Sequence, residues 1–203
     1  MKKLFLAIIF SVTGILASAQ QTYEKQMEVK VKALENTSDP AELSIIKDDF
    51  VTIYSSNEKQ WLPAYYAALS SLKEGKSLYN SGKTEGLSGY SKTAAKYLSI
   101  LTKAQQNNAE VIILNGLINT FDAKITGNKN LLSVARELMT KAETLDRENP
   151  RLALLKAEVA YLDGKTAQGN ELKAAAAKKF KAAKPKSAIA PSWGLPELEN
   201  LGK

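Results

Sequence analysis

Neither cysteine nor histidine occurs among the 203 residues, and only Arg136, Arg147 and Arg151 are arginines. Without histidine the chain lacks the side chain that titrates near neutral pH and that most often serves as general base or metal ligand. Without cysteine it has no thiolate nucleophile, no soft metal ligand, no disulfide brace and no acceptor for bacterial lipoprotein acylation. So few arginines leave little of the planar, bidentate donor that phosphate recognition favours. These absences remove most enzyme mechanisms and make nucleic acid a poor partner. No catalytic residue, cofactor or metal site is expected, and the chain is read as a non-enzyme.

The amino end holds a three-part export pattern. Lys2 and Lys3 form a short basic segment, residues 4–16 an apolar run, and Ala17-Ser18-Ala19 the small-x-small pattern accepted by signal peptidase. The run is too short for a helical membrane span, which takes about 20 apolar residues, and no second run of that length follows. Residues 1–19 are therefore expected to be a signal peptide, cleaved before Gln20, leaving a soluble periplasmic or secreted protein. Loss of Lys2 and Lys3 takes the formal charge from +7 to +5, and residues 165–186, with seven lysines against Glu171, account for +6 of it. Outside that segment the mature chain is nearly neutral.

After the signal, apolar residues recur at helical spacing: Tyr23, Met27, Val31 and Leu34, then Leu43, Ile46, Phe50 and Ile53. Asp39-Pro40-Ala41-Glu42 supplies a cap aspartate, a proline at the first helical position and a glutamate able to bond back to the cap. Further helices are predicted over 62–78, 87–105, 109–125, 130–147, 150–163 and 170–184. No stretch alternates as a strand does, so the fold class is all-α.

Small residues disclose a repeat. Ala94, Ala135 and Ala176, each followed four residues later by a larger side chain (Leu98, Met139, Phe180) and seven later by Leu101, Ala142 or Ala183, are 41 residues apart. The preceding helices carry their own small residue at Ala68, Gly116 and Ala157. Small side chains let neighbouring helices approach and larger ones fill the grooves. A hairpin alone leaves an apolar face bare, and stacking hairpins buries it, which is the logic of a solenoid.

The stretch from Ala135 through Leu138, Met139, Ala142 and Leu145 to Pro150, with Ala157, Tyr161 and Gly164 beyond it, resembles a second helix, proline exit and following first helix of the tetratricopeptide repeat family. Trp61, Ala68, Leu72 and Gly75 echo that pattern. The resemblance implies antiparallel hairpins stacked as a short α-solenoid: an N-terminal hairpin over 20–60, repeats over 61–184 and a proline-punctuated capping segment over 185–203. It also implies that first helices line a concave surface, where Tyr65, Leu69, Leu72, Thr120, Glu158 and Tyr161 become the candidate partner-binding residues. Ile113, Leu117 and Leu154 on the same helices are expected to be core.

Other motifs fit structural roles better. Gly75-Lys76-Ser77, Gly82-Lys83-Thr84 and Gly164-Lys165-Thr166 lack the earlier glycine of a phosphate loop, and Gly75 and Gly164 are expected to end helices. Asp48 and Asp49 are adjacent on a helix and point about 100° apart, unsuited to joint catalysis. Lys173, Lys178, Lys181 and Lys184 form a basic face opposite Leu172, Ala176 and Phe180, able to touch an anionic surface weakly but expected chiefly to be solvated. The leading functional expectation is an exported interaction module that binds a protein or peptide. The alternative is a carrier holding a small apolar ligand between hairpins.

Overall fold

A computed structural model describes residues 22–101 and 103–202; the signal-peptide reading of residues 1–19 lies outside them. The described chain is all-α. Helix α1 covers 22–36, followed by α2 (Pro40–Ser56), α3 (Leu62–Asn80), α4 (Ser88–Ser99), α5 (Ala109–Thr126), α6 (Lys129–Leu145), α7 (Pro150–Leu162), α8 (Thr166–Ala182) and a 3-10 turn over Pro196–Asn200.

Local chemistry sets these limits. The Asp39 carboxylate accepts from Glu42 N at 2.9 Å and starts α2. The Glu42 carboxylate does not return to the cap amide; it accepts from Thr37 Oγ1 instead, and the Asp39 N–H donates to that same hydroxyl. Asn108, Asn128 and Asn149 cap α5, α6 and α7 in the same side-chain-to-amide manner. Gly164, at φ 73°, ends α7, with Lys165 N bonded to Ala160 O. Gly75 does not end α3. The helix runs on to Asn80, and the left-handed stop is Gly82. Gly75 is instead a contact point, since a Cβ there would lie 2.7 Å from Tyr90 Cβ on α4.

The helices pair in order: α3 with α4, α5 with α6, α7 with α8. Helices α1 and α2 are joined by Lys30–Asp49 at 2.6 Å. The N-terminal hairpin stacks directly on the rest, with Phe50 and Tyr66 rings 5.1 Å apart across α2 and α3. Within the stack α3, α5 and α7 form an inner layer, packed one on the next and buried on most sides. Helices α4, α6 and α8 each bury a narrow stripe centred on Ala94, Ala135 and Ala176, all three fully buried. The 41-residue period is thus the period of the hairpins. The last copy departs from it: Ala183 lies past the end of α8 and is exposed.

Gly116 shows how tightly the inner layer closes, since a Cβ there would stand 2.6 Å from Cδ2 of the fully buried Leu155. Gly116→Val is therefore expected to lose about 1–3 kcal/mol in urea unfolding by overpacking. Gly89→Ala, on a surface with open space around it, should be neutral or gain up to about 1 kcal/mol in helix propensity; equal losses at both sites would contradict the close-approach account.

The C-terminal segment is the main departure from the expected cap. After Ala183 the chain does not merely cover the last hairpin but turns back across the inner layer. Tyr66 Oη donates to Ile189 O at 3.0 Å, Ser192 Oγ to Glu35 Oε1 at the end of α1, and Lys73 pairs with Glu197 at 3.2 Å. Lys173, expected on the solvated face of α8, is partly buried and donates to the Leu201 carbonyl at 3.3 Å, whereas Lys178, Lys181 and Lys184 are exposed.

Candidate functional site

The amino ends of α3, α5 and α7 converge on a buried polar network. Tyr65 sits in the first turn of α3, Glu110 in that of α5 and Arg151 in that of α7. The Arg151 guanidinium grips Glu110 in a fork, Nε to Oε2 at 2.6 Å and Nη2 to Oε1 at 2.5 Å, and Asn149 Nδ2 adds a bond to Oε1 at 2.6 Å. Tyr65 Oη donates to Glu110 Oε2 at 3.3 Å and accepts from Trp193 Nε1 at 3.0 Å. Arg151 Nη1 reaches the Trp193 carbonyl at 3.3 Å, and the guanidinium carbon lies 5.8 Å from the indole centroid. One hub thus joins three inner helices to the tail.

Burial dominates the titration of the two phenols. It pushes the Tyr65 phenol well above its ordinary range, and the Glu110 charge pushes the same way. Tyr66 is raised by burial, with Glu35 next in importance. Both phenols stay neutral and able to donate. Burial alone would lower the Arg151 pKa, but the hydrogen bonds and charge of Glu110 outweigh it and the net shift is upward.

Beside this hub lies a cleft of about 850 Å³, walled on one side by the amino ends of α3, α5 and α7 and on the other by residues 183–192. Trp61, Leu62, Phe180 and Ile189 give it apolar walls, and Lys184 and Lys186 stand at its edge. Three helix amino termini face it with partial positive charge, offset by the carboxyl ends of α6 at Leu145 and of α8 at Ala183. Of the acidic groups there, Glu110 is neutralised by Arg151, and Glu148 pairs with Lys179 at 3.0 Å, leaving Asp146, whose Oδ2 accepts from Asn149 at 3.3 Å. The volume falls within the roughly 300–1,000 Å³ usual for small-molecule sites.

The six sequence-derived candidates do not share one surface. Tyr65, Leu69, Leu72 and Thr120 are buried, Tyr65 beneath Trp193. Glu158 and Tyr161, with Thr120 at their base, line a separate cavity of about 230 Å³ at the carboxyl ends of the same helices. Ile113, Leu117 and Leu154 are core, as expected. Sequence reasoning missed the Glu110–Arg151 pair, although a signal was present: the two residues are 41 apart, so opposite charges occupy equivalent positions of successive hairpins. Nothing local marked the cleft, which joins segments spread from Trp61 to Ser192.

No family model matches the chain, and no curated protein matches it in sequence. Among solved structures its fold is similar to that of the HusA haemophore from Porphyromonas gingivalis, with a TM-score of 0.70 and 20% identity over 89% of this chain and 90% of that one.

Proposed function

We propose that this protein is an exported, non-catalytic carrier of an apolar, planar, anionic ligand of the porphyrin class, held in the cleft between the inner-helix amino ends and residues 183–192. The observation that carries the reading is that cleft: large enough for such a ligand, apolar at Trp61, Leu62, Phe180 and Ile189, and edged by the positive charges of Lys184 and Lys186. The ring system would lie on the aromatic walls and its carboxylates at the lysines. The likeness in fold to a haemophore supports the ligand class. A docking surface for a protein loses its footing on Tyr65, Leu69 and Leu72, which are buried.

Haemin titrated into the mature chain should give a saturable change in its visible absorption, with one ligand per protein by native mass spectrometry. Trp61→Ala, and Lys184→Glu combined with Lys186→Glu, should each weaken binding by about tenfold or more, equivalent to about 1.4 kcal/mol. With no histidine or cysteine in the sequence, the two commonest haem-iron ligands are missing, and metal-free protoporphyrin should bind nearly as well as haemin. Absence of saturable binding, or binding indifferent to all these substitutions, would count against the carrier.

A further inference from the structure

The carboxyl ends of α3, α5 and α7 converge on the smaller cavity of about 230 Å³, closed from the other side by the end of the tail. The amino end of α8, at Thr166, and Lys76 and Lys124 also line it. Helix carboxyl ends carry partial negative charge, and three aromatic rings stand around the space: Tyr79, Phe121 and Tyr161. Tyr79 and Phe121 meet edge to face, with centroids 6.3 Å apart. Tyr161 is held firmly: a Cβ at either Gly169 or Gly202 would come within 2.8 Å of its ring, and its hydroxyl donates to Asn170 Oδ1 at 2.7 Å.

The charged groups are distributed unequally. Glu158 is saturated, accepting from Lys76 and from Thr120 Oγ1. Glu197 takes Lys73 on Oε1 at 3.2 Å, while its buried Oε2 has no hydrogen-bond partner. That oxygen has almost no exposed surface and is closed off from the cavity, so the ring faces are the attractive surface left to a ligand. The Lys124 ammonium already rests 4.5 Å from the Tyr79 centroid at the cavity's edge, so that ring serves as a platform for positive charge within the chain itself.

We propose that this cavity is a second binding site, for a small organic ammonium ion, held by the rings of Tyr79, Phe121 and Tyr161, with Lys124 as a built-in competitor. Aromatic faces attract such ions by about 0.5–2 kcal/mol each when desolvated, and the volume suits a ligand of a few heavy atoms. The site is independent of the carrier reading, since it lies at the other end of the inner helices.

Choline and n-butylammonium, titrated into the mature chain by calorimetry, test it against 3,3-dimethylbutan-1-ol, the uncharged isostere of choline. At least one ammonium ion should bind saturably and about tenfold more tightly than the alcohol. Tyr161→Leu should weaken it by a similar factor, and Lys124→Ala should strengthen it by removing the competitor. Unchanged thermal melts and haemin titrations for the variants would show that the fold and the far cleft remain intact. Failure of both ions to bind, equal binding of the alcohol, or weaker binding by Lys124→Ala would overturn the proposal.

Discussion

Glu110→Ala should destabilise the protein by about 3–5 kcal/mol, among the largest losses any single substitution here will give. The reason is asymmetry. Arg151 has a side chain only 8% exposed and Glu110 one 16% exposed, so removing the carboxylate strands a guanidinium that has little contact with water. The same change strips acceptors from Asn149 and Tyr65, each costing about 1–3 kcal/mol if left unpaired. Replacing both charges, as in Glu110→Leu with Arg151→Met, should recover a large part of the loss, because two uncharged side chains leave nothing stranded. Exposed pairs set the contrast: Glu28→Ala, which breaks the surface bridge to Lys32, should change stability by less than about 1 kcal/mol. Urea unfolding of these variants decides it. A loss below about 1 kcal/mol for Glu110→Ala, or a double variant worse than either single one, would mean that the hub contributes little.

Trp193→Ala should cost about 3–5 kcal/mol of global stability if the tail unfolds with the body, the range for a truncated buried tryptophan. Trp193 is 5% exposed, donates its indole N–H to Tyr65 and holds the Arg151 guanidinium through its carbonyl. The next residue leaves no slack: Gly194 has φ 122°, and a Cβ there would lie 2.3 Å from the Phe180 ring. Truncation should also let residues 183–192 swing from the cleft they wall, so that trypsin cuts after Lys186 far sooner than in the parent protein, Lys184 being protected by Pro185. Haemin affinity should fall in parallel, because one wall of the cleft is that same segment. A variant with normal stability and unaltered cleavage would show that the tail is held by other contacts.

Much of the helical body is legible in the amino-acid sequence. The predicted starts at 62, 109 and 150 coincide with those of α3, α5 and α7, because proline and cap residues act within one turn of chain. The buried alanines at 94, 135 and 176 are readable because close packing leaves a periodic trace in residue size. What stays hidden depends on distant contacts. Gly75 has the local character of a helix stop, yet α3 continues through it so that Tyr79 can pack on Phe121; that packing offsets the roughly 0.5–1 kcal/mol cost of an interior glycine. Likewise α4 ends at Ser99 although apolar spacing continues toward 105. The polar hub emerges only when charges one repeat apart are compared, and the cleft exists only because residues 183–192 double back. Neither leaves a mark in a window of neighbouring residues.

That doubling back bears on how the protein folds. In an open array of hairpins each unit touches only its neighbours, so the ends can fray independently and unfolding proceeds in steps. Here Ser192 bonds to Glu35 across 157 residues of sequence and Trp193 to Tyr65 across 128, tying the tail to α1 and α3. Such contacts raise the contact order of an otherwise local fold and slow the final step of its assembly. In return the array behaves as a closed ring: no terminal hairpin can open without breaking the tie, and the molecule should melt as one cooperative unit.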